Sequence, residues 1–248
     1  RLCEEHEEVT WFLRTLRDDS IVARRLVQVL GTSAFVAELL MRNPEVIPDF
    51  TDGAEGPLLV AAQVSDIASA LKAAAARHRT PERVIAAARS LRRAELARIG
   101  AADVLRMISV PEVGRRLTSV WRAVLEVASA AVIRDMTPGD GQPPARLAYI
   151  GLGRLGGHEL SYGSDADVLM VHDPLEGADP QAAQDQAVEI VKEIIRVLGL
   201  RGPDPAVKID TDLRPEGKNG PIVRSLDSYS EYYERWAQSW EFQALLKA

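Results

Sequence analysis

The segment Thr137-Pro-Gly-Asp-Gly-Gln-Pro-Pro144 constrains this chain more than any other feature, because the spacing of apolar residues changes across it. Prolines and glycines at this density end a helix or a central strand. Before the segment, apolar side chains recur at helical spacing. After it, short apolar runs and alternation suggest strands. The pattern predicts an α+β chain: a helical bundle over residues 1–137, then a unit with a small mixed sheet over residues 138–248.

In the first part Val9, Phe12, Leu13 and Leu16 share one helical face, as do Val22, Leu26, Val29 and Leu30. A third helix through Phe35, Leu39 and Leu40 stops at Asn43-Pro44. An Ala-rich helix is predicted from about Leu58 to Arg77. Two more run from Pro81, capped by Thr80, to about Met107, and from Pro111 to about Asp135. No repeat period calls for a solenoid. After the linker, Leu147–Ile150 and Val168–Val171 read as strands, Pro180–Leu198 as an amphipathic helix and Ala206–Leu213 as a third strand. A last helix is predicted from about Asp227 to the end. Trp121, Trp236 and Trp240 fall at apolar helical positions and are expected in the core.

Composition narrows the class. Of the 248 residues, 46% are hydrophobic and 27% charged, an ordinary globular balance. Residues 1–140 carry 19 basic and 19 acidic side chains; residues 141–248 carry 11 and 17, which supplies the whole net charge of −6. A phosphate-gripping nucleic-acid binder would show the opposite sign. The single cysteine, Cys3, points to a cytosolic, cytoplasmic setting, and no apolar run has the length of a membrane span. The first residue is Arg1 within an acidic helical pattern, and the last helix runs off the end, so an excised fragment is expected. The seven arginines between Arg77 and Arg98 read as a solvated helix face.

Gly151-Leu-Gly153-Arg-Leu-Gly156 follows a strand and matches the dinucleotide fingerprint. Gly157 and Gly163 leave no room for the crossover helix that fingerprint needs, so a tight turn is the better reading. A stronger signal is Gly163-Ser164-Asp165-Ala166-Asp167-Val168. In extended chain, Asp165 and Asp167 point the same way. Two carboxylates about 5 Å apart repel by roughly 3 kcal/mol at an effective dielectric near 20, a cost that solvent or a cation relieves. Oxygen ligands with open positions suit Mg²⁺, and Gly163 and Ser164 suit a phosphate. Lys208-Ile-Asp210-Thr-Asp212-Leu-Arg214-Pro215 adds Asp210 and Asp212 on one face of another strand, followed by Arg214 and a loop carrying Lys218. This is the layout of two-metal phosphoryl or nucleotidyl transfer. His158 and His172 flank it without ligand-like partners and are expected to be structural. Glu159 and Tyr162 are placed to orient the Gly-rich turn.

Residues 149–174 and 207–247 resemble the bacterial glutamine-synthetase (glutamate–ammonia-ligase) adenylyltransferase family. The resemblance lies in the run from Gly151 to Asp167, in Asp212-Leu-Arg-Pro-Glu-Gly-Lys-Asn-Gly-Pro221, and in Tyr229 through Trp240-Glu241 to Ala244. Ser161-Tyr-Gly-Ser164 and His172-Asp173 look like the C-terminal, adenylylating domain, and Glu216-Gly-Lys-Asn-Gly220 and the Tyr-Tyr-Glu-Arg-Trp run look like actinobacterial members. The resemblance implies a nucleotidyltransferase domain of the polymerase-beta type that transfers AMP from ATP to a tyrosine of glutamine synthetase in nitrogen regulation. It implies Mg²⁺ on Asp165, Asp167 and Asp210, phosphates on Gly163 and Ser164, and Arg214 and Lys218 as cations for the triphosphate. Asp212 departs from the family, which usually has Arg there. Two alternatives stay open: the deadenylylating, phosphorolytic domain, and a non-catalytic docking domain for glutamine synthetase or a PII signal protein. Neither nucleic acid nor membrane is an expected partner.

Overall fold

The computed structural model describes residues 9–61, 64–137, 139, 143–205 and 207–248. Cys3 and part of the linker, Pro138 and 140–142, lie outside the described residues, as does Ala206.

Local signals start most helices. Helix α1 spans Val9–Asp18. Asp19 then accepts the N–H groups of Ile21 and Val22 and opens α2 (Ser20–Thr32). Ser33 ends that helix and caps α3 (Ala34–Arg42) by accepting from Val36. After Asn43-Pro44 a 3-10 segment, Pro44–Phe50, buries Val46, Ile47 and Phe50 completely. A two-residue ladder, β1 (Asp52–Gly53) with β2 (Gly56–Pro57), turns the chain, and Leu58–Val60 forms a single 3-10 turn. The predicted helix from Leu58 is therefore shorter: α4 spans Val64–Ala75. Leu58 is tied back to the Thr51 carbonyl and Leu59 is buried in the large core, so these residues serve the turn first.

Helices α5 (Pro81–Val104) and α6 (Val110–Met136) form the spine. Thr80 has the extended backbone of a cap but makes no capping hydrogen bond, whereas Ser109 accepts from Glu112. Trp121, Val124, Ala128 and Val132 of α6 are buried, and α4 and α5 pack along it. The arginines of α5 depart from the expected solvated face. Arg89 and Arg92 are buried, and Arg93 and Arg98 are largely so. Among the described residues, no helix is long and apolar enough to cross a membrane.

A four-stranded mixed sheet follows. Strand β3 (Ala145–Gly151) pairs antiparallel with β4 (Ala166–Pro174), from Ala145 opposite Pro174 to Gly151 opposite Val168. Between them lies a one-turn helix, α7 (Gly153–Gly156). An antiparallel pair across the glycines is incompatible with a dinucleotide crossover, as expected. Helix α8 (Pro180–Leu198) opens at the Asp179 cap and buries Ile190, Val191, Ile194 and Val197, each worth roughly 1.5–3 kcal/mol relative to exposure. Strands β5 (Ile209–Asp210) and β6 (Arg224–Ser225) both run parallel to β4 on its other edge.

Side chains alternate along β4. Ala166, Val168 and Met170 join the large core shared with α5, α6 and α8. Leu169 and Val171 face a second core with Leu152 and Tyr229. That second core is covered by α9 (Leu226–Arg235) and α10 (Ser239–Leu245), where one continuous helix was expected. The helix breaks because Gln238 and Glu241 cap each other reciprocally and start a new one. Trp121 is in the core as predicted, but Trp236 and Trp240 are 68% and 45% exposed, since the break turns them outward.

Candidate active site

Asp167 and Asp210 come from two strands, and Asp165 directly precedes the first of them. In the parallel register Ala166 lies opposite Ile209 and Asp167 opposite Asp210. Ala166 and Ile209 belong to the large core, so Asp167 and Asp210 share the other face. Asp165 stands just before β4, with Lys208 Nζ 4.0 Å from its Oδ1. Burial, first, and then the charge of Asp210 raise the Asp167 carboxyl above the usual carboxylate range. Arg154 opposes the rise and Asp165 adds to it.

The predicted third strand is only two residues long, and its end has a local cause. Asp210 Oδ1 accepts the N–H of Asp212 at 2.7 Å, and Arg214 N–H donates to the Thr211 carbonyl. This Asx-type turn takes the chain off the sheet immediately after Asp210. Asp212 is thus not on a strand face with Asp210. It faces Lys218, with 3.2 Å between Nζ and Oδ2, and lies 3.8 Å from Arg214 Nη1.

Arg214 was expected as a cation for the triphosphate, and the structure places it otherwise. Its buried guanidinium donates to the carbonyls of Gly220, Thr211 and Lys218 and to the Thr211 hydroxyl. With its donors engaged in this way, it secures the loop on which Lys218 stands. Lys218 itself is exposed.

The Gly-rich turn lies across the start of β4. Leu152 N–H donates to the Asp167 carbonyl at 2.8 Å. Gly153 has φ +53°, and a Cβ there would sit 2.8 Å from Asp167 Oδ2. Only glycine accepts both conditions without strain. Sequence reasoning set Gly153 aside with the rejected fingerprint, although its position after a strand was the available signal. It also missed Arg154 and Lys208, the basic residues beside the acids. Further on, Ser164 Oγ accepts the Ser161 N–H at 2.9 Å and lies 2.7 Å from Ser161 Oγ, which closes a compact turn. A Cβ on Gly163 would meet nothing within 4 Å, so the space over this turn is open.

His172 is buried with Nε2 2.7 Å from Gln184 Oε1 of α8. Glu159 pairs with Lys247 at 2.6 Å and ties the turn to the segment after α10. A cavity of about 800 Å³ lies behind residues 157–162, against the start of α6, rather than over the acids.

The chemistry of the donors suits a hard divalent cation: oxygen only, mutually repelling and partly exposed. Among the described residues no cluster of three or more acids, histidines or cysteines would enclose a metal ion. A cation here would complete its shell with water or phosphate oxygens.

The sequence family described as glutamate-ammonia ligase adenylyltransferase matches residues 23–248. The chain belongs to this family. It is 54% identical over its full length to the bifunctional glutamine synthetase adenylyltransferase/adenylyl-removing enzyme of Mycobacterium marinum, and 53% to that of Mycolicibacterium smegmatis. The Nocardia farcinica enzyme of the same name is 52% identical. In each case the chain covers 25% of the relative, so it spans about a quarter of these adenylyltransferases. The actinobacterial character expected from the tyrosine-rich helix agrees with these relatives.

Proposed function

We propose that this chain is a Mg²⁺-dependent nucleotidyltransferase unit that moves AMP from ATP to a tyrosine hydroxyl of glutamine synthetase. The observation that carries the reading is the Asp167–Asp210 register, which sets two acids side by side on one face with Asp165 next to them. Family membership supplies the substrate class.

In this reading Asp165 and Asp167 hold the cation, Asp210 stands beside them, and water or phosphate oxygens fill the rest of the cation's shell. Mg²⁺, when bound, would neutralise phosphate charge and orient the triphosphate. The Ser161–Ser164 turn receives the β- and γ-phosphates at Gly163 and Ser164, and Lys218 adds a positive charge. Asp210 accepts the proton of the tyrosine hydroxyl as its oxygen forms a bond to the α-phosphorus. The bond from that phosphorus to the bridging oxygen breaks, and pyrophosphate leaves. The partners that follow are glutamine synthetase and, for the whole enzyme, a PII signal protein, in the cytoplasm.

The relatives' printed name joins two activities, so phosphorolytic removal of AMP is the second reading. Purified glutamine synthetase, labelled ATP and the chain decide between them. Label transfer with pyrophosphate release is the expected result. Release of ADP from the modified enzyme only when phosphate is present would favour removal instead. Equal ATP binding with Mg²⁺ and with EDTA would overturn the role of the cation.

A further inference from the structure

The turn carrying Gly163 and Ser164 is not held by the sheet it leads into. Its hydrogen bonds are local, between Ser161 and Ser164. Among the described residues its one distant polar tie is the Tyr162 hydroxyl, which donates to Asp103 Oδ2 at 3.0 Å. Asp103 stands at the C-terminal end of α5. The Tyr162 ring meets Phe35 of α3 edge-on, with centroids 5.7 Å apart. The seat is close: a Cβ added at Gly100, one turn back on α5, would lie 3.8 Å from Tyr162 Cε1 and 2.7 Å from Val36 Cγ2.

The same helix grips the chain that approaches β5. Arg89 donates to the carbonyls of Leu200 and Asp204, and Arg92 to that of Pro205. Arg93 pairs with the Asp204 carboxylate, and Arg42 of α3 reaches the Pro203 carbonyl. Helix α5 therefore holds both segments that assemble the site, the phosphate turn and the approach to Asp210.

We propose that Tyr162 is a positioning residue: its bond to Asp103 fixes the Ser161–Ser164 turn relative to the acids, so that α5 sets where the nucleotide's phosphates lie. This rests on the nucleotidyltransferase reading above. A ring without its hydroxyl would still pack on Phe35, but the turn would lose its distant hydrogen bond.

The test uses the full 248-residue chain and the variants Tyr162→Phe, Asp103→Ala and Asp103→Asn. Loss of one hydrogen bond of ordinary worth predicts an ATP Kd and KM raised roughly three- to tenfold in Tyr162→Phe, with kcat nearly unchanged. Asp103→Ala should match it, and the double variant should be no worse than either single one. Asp103→Asn keeps an acceptor oxygen and should restore ATP affinity close to that of the parent. Amide hydrogen exchange without nucleotide provides the independent reading, with residues 161–164 exchanging faster in Tyr162→Phe at a temperature where both proteins are folded. Unchanged exchange overturns the proposal, and so does a lowered Tm with unchanged ATP affinity, which would assign Tyr162 to packing alone. Failure of the parent to bind ATP would overturn the nucleotide reading, while exchange would still decide whether Asp103 anchors the turn.

Discussion

Asp210 and Asp212 are two residues apart, yet one is paired with a strand and the other with a lysine. Their substitutions should therefore have unequal effects. Asp210→Asn removes an acid from the shared face and should lower turnover on the order of 10³-fold, about 4 kcal/mol of barrier. Asp212→Asn frees Lys218 from its partner and should change turnover roughly tenfold or less, mainly through KM for ATP. Equal losses in steady-state kinetics would contradict these placements. A second residue-scale test concerns stability. The Asp167 carboxylate is disfavoured by burial and by Asp210, so a neutral isostere relieves the fold. With chelator present, Asp167→Asn should show a higher Tm than the parent, while losing AMP transfer. Added Mg²⁺ should raise the Tm of the parent alone. At this scale the placing of Asp165 and Asp167 at the start of β4 was legible, because a period of two needs only adjacent chain. The displacement of Asp212 was not, because it depends on a side chain capping its own backbone. The role of Arg214 depends on burial, which the motif does not encode.

Among the elements, the contact between the residues that follow α10 and the Gly-rich turn is the most exacting. A Cβ on Gly156 would lie 1.8 Å from the Lys247 carbonyl oxygen and 2.5 Å from that of Gly151. Backbone must move to admit it, so Gly156→Ala should destabilise the fold by about 1–3 kcal/mol. Proteolysis after α9 should quicken in the same variant; a parent-like Tm and cleavage rate would show that the turn yields freely. Helix α8 was read with its observed ends because Asp179-Pro180 starts it and Gly199 follows it. The division between α9 and α10 was missed, although Gln238 and Glu241 have capping-box spacing, because a glutamine is an uncommon opening residue. The third strand was overextended for a related reason: alternation through Leu213 continued after the hydrogen bonds had turned inward.

For the whole molecule, the change of texture at the linker correctly foretold helices followed by a small sheet. It did not foretell how closely the parts are joined. The arginines of α5 have polar spacing and were read as solvated, but their acceptors are backbone carbonyls of residues 200–205, which leave no trace in composition. The large core also runs through both parts, with α8 against α5 and α6. Urea unfolding should therefore be a single transition, with far-ultraviolet circular dichroism and tryptophan fluorescence coincident. Two separated transitions would mean that each part is stable alone. Arg93→Ala should shift the midpoint without splitting the curve.

Strand β4 belongs to two interiors at once, and this has a consequence for how the acids can move. Asp167 sits between Ala166 and Val168, both sealed into the helical side, while Leu169 beyond them is sealed into the other. To move the backbone of Asp167 by an ångström would mean withdrawing well-packed neighbours from close-fitting seats on both sides. The acid is mounted like a tooth in bone rather than on a hinge. Any adjustment beyond rotation of the side chain itself would then fall to the turn, the Lys218 loop or a bound nucleotide, and the strand that carries the acid stays in place.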